Sequence, residues 1–275
     1  MNLGFQFKQF FVKHDRCAMK VGTDGVLLGC WCPTAKSQRP TARGVPTTNR
    51  QWGAYNGQSP HILDIGTGSG LIALMLAQRC PEAEITAIDI DAEAVAQARE
   101  NFAASPWADS LHVAQSSLQE WQMGNGKCGN DKCGNGKCGN DKWYDLIVSN
   151  PPYFTASLKN PDAARCAARH NDTLPFSMLI AQSARLLAPD GILALIVPTE
   201  AESELQSLAQ AQGLHCTHRC YVHPKPGRPA KRVMLAWKHA VASATHGGST
   251  EHLTLEDEHG ARSDEYNQLT KDFYL

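Results

Sequence analysis

Short apolar runs alternate with segments of helical periodicity along most of the chain. Seven runs have the length and composition of β-strands: residues 62–65, 84–89, 111–114, 143–149, 192–197, 215–223 and 231–238. Helices are predicted near residues 24–30, 70–79, 175–187 and 200–212, and another begins after Asp91, whose carboxylate is suited to cap it. This alternation predicts an α/β fold with a mostly parallel seven-stranded sheet and helices on both faces. The last two strands are joined by a loop too short for a crossover helix, so one strand near the C-terminus is antiparallel.

Two segments depart from this pattern. Residues 36–60 are dominated by polar residues, Pro and Gly, and residues 122–142 contain a tandem repeat of Gly, Asn, Asp, Lys and Cys. Both lack the apolar content needed for a packed core. We therefore predict a single domain over residues 1–275 that carries two flexible insertions, 36–60 and 122–142.

The cysteines of the second insertion, Cys128, Cys133 and Cys138, raise the alternative of a thiolate metal site. Four residues separate each pair, which differs from the close pairs typical of zinc sites, and three thiolates without a histidine leave one ligand missing. We predict no metal site. The ten cysteines of the chain are scattered through an α/β pattern, as is typical of reduced thiols in a cytoplasmic protein.

The overall charge limits the possible partners. The formal net charge is −1, so any nucleic-acid binding requires a local basic patch. The N-terminus has no signal-peptide pattern, and no run of 18 apolar residues suggests a membrane span. We expect a cytoplasmic protein without membrane association, and nothing in the sequence indicates an obligate protein partner.

A glycine-rich turn follows the first strand of the α/β pattern. Asp64 precedes Gly66, Gly68 and Gly70, and a helix begins after them. A dinucleotide site requires glycines in the pattern Gly-x-Gly-x-x-Gly, but the sixth position here is Leu71. The pattern is instead Gly-x-Gly-x-Gly with an acid on the preceding strand. A carboxylate there favours a cationic ligand, and S-adenosylmethionine carries both a sulfonium and an ammonium group.

Residues after the next two strands complete the predicted cofactor site. Asp89 ends the second strand about 20 residues after the glycine turn, where a carboxylate binds ribose hydroxyls in related folds. Ser117 and Leu118 follow the third strand, where an adenine ring would pack on Leu118 and bond to Ser117. The alternative for Ser117 is a serine that merely ends the strand.

The tetrapeptide Asn150, Pro151, Pro152 and Tyr153 follows the fourth strand and is the candidate catalytic site. The Asn150 side-chain oxygen and the Pro151 carbonyl can accept both N–H groups of a planar amino group. The two prolines restrict the backbone that carries these acceptors, and Tyr153 can stack on the acceptor. The alternatives are an ordinary strand-end turn and, for Tyr153, a core aromatic residue.

With these motifs the chain resembles the class I S-adenosylmethionine-dependent methyltransferases, which have a Rossmann-like fold. It is most similar to the bacterial tRNA1(Val) (adenine-N6)-methyltransferase family. That resemblance includes Phe7–Phe10, His14–Gly25, Asn150–Phe154 and Lys271–Leu275, and it covers nearly all of the chain except the two insertions. It implies tRNA, in particular tRNA(Val), as the partner, and methylation of the adenosine 3′ of the anticodon.

Other residues and other acceptors remain open at this point. Thr23 and Asp24 could close over the methionine end of the cofactor, with Asp24 either holding the ammonium group or capping the following helix. The basic loop at residues 223–232 is a candidate RNA contact, as are Arg165, Arg169 and His170, although such runs are commonly just solvated. The acceptor could also be an rRNA or DNA base or a release-factor glutamine, and a non-catalytic binding module is a further alternative.

Overall fold

The computed structural model describes residues 3–17, 19–33, 59–121, 143–152, 174–240 and 248–275. Within these ranges the strands are β1 (Gly4–Gln6), β2 (Phe11–Lys13), β3 (His61–Ile65), β4 (Glu84–Asp89), β5 (Leu111–Gln115), β6 (Tyr144–Ser149), β7 (Leu187–Pro198), β8 (Leu214–His223), β9 (Arg232–His239) and β10 (Ser249–Thr254). The α-helices are α1 (Thr23–Trp31), α2 (Leu71–Arg79), α3 (Ala92–Ala103), α4 (Phe176–Leu186), α5 (Glu202–Ala211) and α6 (Asp264–Thr270). A short 3-10 helix covers Thr199–Ala201.

Strands β3 to β10 form one sheet in the order β10-β8-β9-β7-β6-β3-β4-β5. Strand β9 is antiparallel to both β7 and β8, and every other pairing in the sheet is parallel. The predicted mostly parallel sheet with one antiparallel strand near the C-terminus is therefore confirmed. The predicted count of seven strands is wrong, because β10 adds an eighth. In β10 only Leu253 is buried, so this edge strand lacks the apolar pattern that marks the other strands.

The chain order reverses at the centre of the sheet. From β3 the chain first adds β4 and β5 on one side, and then β6 and β7 on the other. In open parallel sheets of this kind, ligands bind in the crevice at the carboxyl ends of the strands beside such a reversal. The topology thus places the candidate site at the carboxyl ends of β3, β4 and β6.

Apolar side chains cover both faces of the sheet. On β7, Ile192, Ala194 and Ile196 belong to the cluster that includes α1 and α2, whereas Leu193 and Leu195 pack with residues of α4 and α5. This alternation explains why β7 reads as a continuous apolar run. Helices lie on both faces of the sheet, as predicted.

The N-terminal hairpin β1–β2 and the C-terminal residues pack together. Phe7 stacks on Phe10 and on Tyr274, with ring centroids 4.8 and 5.8 Å apart respectively. The Lys8 N–H donates to the Phe273 carbonyl at 2.8 Å. These contacts hold the two termini together on the face of the sheet that carries α1 and α2.

Several predictions concern residues with little or no structural description. Of the two insertions only residues 59 and 60 are described, so the repeat with Cys128, Cys133 and Cys138 lies outside the described residues. None of the six cysteines within the described ranges forms a disulfide bond. None of the helices in those ranges has the length and apolar character needed to cross a membrane.

Candidate active site

The glycine turn connects β3 to α2 with three residues in the left-handed region. Gly66, Gly68 and Gly70 have φ of 69°, 56° and 81°. The backbone N–H groups of Gly66 and Thr67 donate to the Ile88 carbonyl at 2.9 and 3.1 Å, which ties the turn to β4. Since residues with a Cβ rarely adopt these angles, the backbone itself requires glycine at all three positions.

The three glycines differ in what surrounds them. A Cβ atom on Gly66 or Gly68 would meet no heavy atom within 4 Å, whereas one on Gly70 would lie 2.5 Å from the Phe102 ring. Gly70 therefore allows the turn to pack closely against α3. Gly66 and Gly68 instead border open space, where a ligand can approach the backbone, and this fits the predicted cofactor.

Asp64 lies beneath this turn, and its side chain is completely buried. Its Oδ2 accepts a hydrogen bond from Thr67 Oγ1 at 2.7 Å, and its Oδ1 has no hydrogen-bond partner among the described residues. Burial raises the pKa of Asp64 to about 7, although the Thr67 hydroxyl and the Ala73 N–H act in the opposite direction. A buried acid would be stabilised in its charged form by a nearby cation, which suits the sulfonium and ammonium groups of the predicted cofactor.

Asp89 lies at the carboxyl end of the neighbouring strand β4. Its Oδ2 accepts from the Gly68 N–H at 2.8 Å and its Oδ1 from the Asp91 N–H at 3.0 Å. Burial raises the pKa of Asp89. A carboxylate has about four lone-pair positions, so each oxygen retains capacity for a ribose hydroxyl. Asp91 caps α3 through the Glu93 N–H at 2.9 Å, as predicted.

Ser117 and Leu118 follow β5 at the same edge of the sheet. The Ser117 hydroxyl accepts from the Glu120 N–H at 3.2 Å and donates to Glu120 Oε2 at 3.1 Å. Leu118 is buried and packs in the cluster that includes α4 and α5. The predicted adenine contacts of these two residues stay predictions.

Thr23 and Asp24 begin helix α1, whose N-cap is Gly22. The alternative in which Asp24 caps this helix is therefore wrong. Asp24 Oδ2 instead accepts from Arg232 Nε at 2.9 Å, which joins the start of α1 to the first residue of β9. A cofactor ammonium group at Asp24 would have to share the carboxylate with Arg232.

Asn150 lies directly after β6, next to the glycine turn. Ser149 pairs with Ile65 across the parallel strands β3 and β6, and its buried hydroxyl donates to the Ile65 carbonyl at 2.8 Å. Since Gly66 and Asn150 each follow one of these paired residues, the candidate catalytic turn begins beside the candidate cofactor loop. Pro151 is buried and Pro152 is exposed. Tyr153, Arg165, Arg169 and His170 lie outside the described residues.

The basic loop between β8 and β9 lies at the same edge of the sheet. Pro198 at the end of β7 pairs with Arg232 at the start of β9, so this loop adjoins the carboxyl end of β7. It includes a turn in which the Arg228 N–H donates to the Lys225 carbonyl at 3.2 Å and Gly227 has a φ of 69°. With Pro226 before the glycine, this is the pattern of a type II turn, which holds the loop in one shape.

Two of the four cations of this loop form ion pairs and the other two are exposed. Lys225 Nζ lies 3.4 Å from Glu256 Oε2, and Arg232 binds Asp24. Arg228 and Lys231 are exposed, and no ion pair to either is found within the described ranges. Among the four cations of this loop, these two side chains have their charge most available to a polyanion.

Sequence reasoning missed Asn101 on α3. Its side chain is 2% exposed, and its Nδ2 donates to the Ser69 carbonyl in the glycine turn at 2.8 Å. A polar residue on the apolar face of an amphipathic helix, between Ala98 and Phe102, was the signal that could have pointed to it.

Comparisons with known proteins agree with this geometry. Residues 54–215, more than half of the chain, match the family model described as a methyltransferase small domain. A crystal structure of a predicted O-methyltransferase from Agrobacterium tumefaciens superimposes with a TM-score of 0.59. That likeness covers 91% of this chain and 96% of the other at 17% identity, so it speaks for the fold alone. The predicted class I methyltransferase fold is confirmed.

Bacterial relatives narrow the assignment. A protein of Phocaeicola vulgatus is 43% identical, over 98% of this chain and 97% of its own length. A protein of Aeromonas hydrophila is 41% identical, over 100% of this chain and 98% of its own length. Both are named tRNA1(Val) (adenine(37)-N6)-methyltransferase. At this identity and coverage, the chain belongs to the family of tRNA1(Val) (adenine(37)-N6)-methyltransferases.

Proposed function

We propose that this protein transfers a methyl group from S-adenosylmethionine to the N6 amino group of the adenosine 3′ of the anticodon in tRNA(Val). The observation that carries the proposal is the position of Asn150, which follows β6 directly beside the glycine turn. A group that binds an amino acceptor thus lies next to a loop suited to the methyl donor. The names of the relatives support an adenine of tRNA, rather than a glutamine side chain, as the acceptor.

The residues around the glycine turn hold the donor. Gly66 and Gly68 leave room at the backbone, Asp89 can accept the ribose hydroxyl protons, and the charge of Asp64 favours a cation nearby. When bound, S-adenosylmethionine supplies an electrophilic methyl group on a positively charged sulfur. The protein supplies orientation, because an acceptor at Asn150 and a donor at Gly66 occupy adjacent strand ends.

Asn150 and Pro151 prepare the acceptor nitrogen. The lone pair of an adenine amino group is delocalised into the ring, which makes it a poor nucleophile. The Asn150 side-chain oxygen and the Pro151 carbonyl each accept one amino N–H, and this directs the nitrogen lone pair toward the methyl donor. The burial of Pro151 and the fixed φ of both prolines keep these acceptors in position before the substrate arrives.

The target base must leave its stack to reach this pocket, so the flanking RNA has to be held nearby. Arg228 and Lys231 are exposed on a stiff loop at the same edge of the sheet. We assign them to contacts with tRNA phosphates.

The direct test is incubation with methyl-labelled S-adenosylmethionine and unmodified tRNA(Val), followed by nucleoside analysis. We expect the label in N6-methyladenosine at position 37. A transcript with guanosine at position 37 is the matched control and should accept no label. Label in another nucleoside, or in protein alone, would refute the proposal.

A further inference from the structure

The side chain of Asn101 connects two segments that are far apart in sequence. Its Nδ2 donates to the carbonyls of Ser69 and Lys13, both at 2.8 Å, and its Oδ1 accepts from the Lys13 N–H at 2.9 Å. Both N–H groups of the amide are used, so the amide cannot turn over without losing hydrogen bonds. The side chain is 2% exposed, and water is therefore no substitute for these partners.

The same contact holds the glycine turn. The other hydrogen bonds of the turn join it to β3, to β4, to α2 and to itself. The Thr67 hydroxyl donates to Asp64, and the Gly66 and Thr67 N–H groups donate to the Ile88 carbonyl. The Gly68 N–H donates to Asp89, the Gly70 N–H to the Thr67 carbonyl, and the Leu74 N–H to the Gly70 carbonyl. Three glycines make the turn intrinsically free to adopt other conformations. Asn101 binds the carbonyl between Gly68 and Gly70, and so favours the one conformation in which Gly66 and Gly68 border open space.

The same face of α3 holds the N-terminal segment, residues 13–17 and 19–22. Gln97 is completely buried, and its Oε1 accepts from the Arg16 N–H at 2.9 Å. His14 Nδ1 accepts from the Val21 N–H at 3.2 Å and closes the segment into a loop.

We propose that Asn101 is a positioning residue for the methyl-donor site. It fixes the glycine turn through Ser69, and it ties that turn to the N-terminal segment through Lys13. Asn101 itself touches neither the donor nor the acceptor. The inference rests on the proposed function only in taking the glycine turn as the donor site.

Two substitutions on the same helix test this. Asn101→Leu removes the hydrogen bonds to both Ser69 and Lys13, whereas Gln97→Met removes a buried amide that binds only the N-terminal segment. The probe is S-adenosylhomocysteine, titrated calorimetrically into each purified full-length variant. We expect Asn101→Leu to weaken its binding about tenfold or more and Gln97→Met less than about threefold, because only the former leaves the Ser69 carbonyl unpaired.

Two further measurements separate positioning from simple stability. In steady-state assays, Asn101→Leu should raise the KM for S-adenosylmethionine more than it lowers kcat, since the residue is remote from the reacting atoms. Thermal unfolding shows whether both variants fold, and Asn101→Ser replaces Asn101→Leu in the same comparison if the latter does not. Unchanged S-adenosylhomocysteine affinity in the Asn101 variant, or equal losses in both variants, would overturn the inference. A wild-type protein that binds the probe but methylates no tRNA would refute the proposed function alone.

Discussion

The two ends of the candidate site carry opposite charge. Asp64 and Asp89 lie at the ends of β3 and β4, whereas Arg228 and Lys231 lie in the loop that precedes β9. Asn150 lies between them, because β6 and β7 separate β3 from β9 in the sheet. The acidic end suits a cationic cofactor and the basic end a polyanion, so one edge of one sheet can bring both ligands to the same turn.

The two ends also differ in how their charges are held. Asp64 is completely buried and Asp89 accepts two backbone hydrogen bonds, whereas Arg228 and Lys231 are exposed. Substituting a single buried group leaves its hydrogen-bond partners unpaired, so one substitution causes a large loss of binding affinity. Exposed cations act additively and are screened by salt. The comparison therefore predicts abrupt losses at the cofactor end and graded, salt-dependent losses at the basic end.

The largest effect is expected at the centre, from Asn150→Ala. Loss of one acceptor for the amino group should lower kcat by about 10²- to 10³-fold. The affinity for S-adenosylmethionine should stay within about threefold, because we assign Asn150 to the acceptor and not to the methyl donor. Steady-state kinetics and calorimetry measure the two quantities, with Asn267→Ala on α6 as the control. Near-normal turnover by Asn150→Ala would contradict the assignment of Asn150 to the reacting amino group.

At the cofactor end, Asp89→Ala should weaken S-adenosylmethionine binding by about 10- to 100-fold. It removes the carboxylate that we assign to the ribose and that accepts a hydrogen bond from the Gly68 N–H. The matched control, Asp91→Ala, removes only the cap of α3, which should cost about 1 kcal/mol in the free energy of unfolding. Its cofactor affinity should stay nearly unchanged. Calorimetry and chemical unfolding distinguish the two variants, and equal losses of affinity in both would contradict the assignment of Asp89.

At the basic end, the double variant Arg228→Glu/Lys231→Glu should weaken tRNA binding about tenfold at low salt. The slope of log affinity against log salt should become shallower by about one to two. Lys271→Glu is the control, because Asp272 next to it binds Gln78 near the end of α2, away from the candidate site. Filter binding over a salt series measures both quantities. A slope equal to that of the wild type would contradict the assignment of these two residues to the tRNA interface.

A smaller effect should follow from pH. Since the pKa of Asp64 is raised to about 7, the carboxyl group is mostly protonated at pH 6 and mostly ionised at pH 8. The ionised form attracts the cationic cofactor, so S-adenosylmethionine affinity should increase a few-fold, about two- to fivefold, over this range. In the absence of cofactor, the free energy of unfolding should instead decrease as pH rises over this range. The contribution from a raised pKa is present at low pH and is lost as pH rises through about 7. Asp64→Asn should flatten both profiles.

The smallest effect is expected from deletion of Gly124–Lys142. Trp121 and Tyr144, which flank this segment, are joined by a hydrogen bond from the indole Nε1 to the tyrosine hydroxyl at 3.1 Å. A short glycine-serine linker can therefore span the gap. We expect kcat and cofactor affinity within about twofold of the wild type, because none of the residues that we assign to either end of the site belongs to the repeat. Collapse of activity together with loss of a bound metal, measured by elemental analysis, would contradict the prediction of a flexible insertion.

Local sequence signals predicted most of the sheet and the cap of α3. A buried parallel strand such as β7 requires a continuous apolar run, and a cap such as Asp91 requires a particular residue at one position. These features depend on neighbours in sequence. Strand β10 escaped prediction because it pairs with β8 at the edge of the sheet and buries little more than Leu253.

What the sequence determined by itself is the α/β alternation, the antiparallel strand near the C-terminus and the residue types at the candidate site, since each follows from local periodicity or from a short motif. The tertiary structure alone decided that Asp24 pairs with Arg232, that Gly70 packs on Phe102, and that Asn101 joins the glycine turn to the N-terminal segment. Asp24 and Arg232 are 208 positions apart in the chain, and Asn101 and Ser69 are 32 apart. Only the packing of α1 and α3 against the sheet brings such partners within hydrogen-bond distance. No local sequence pattern predicts these contacts.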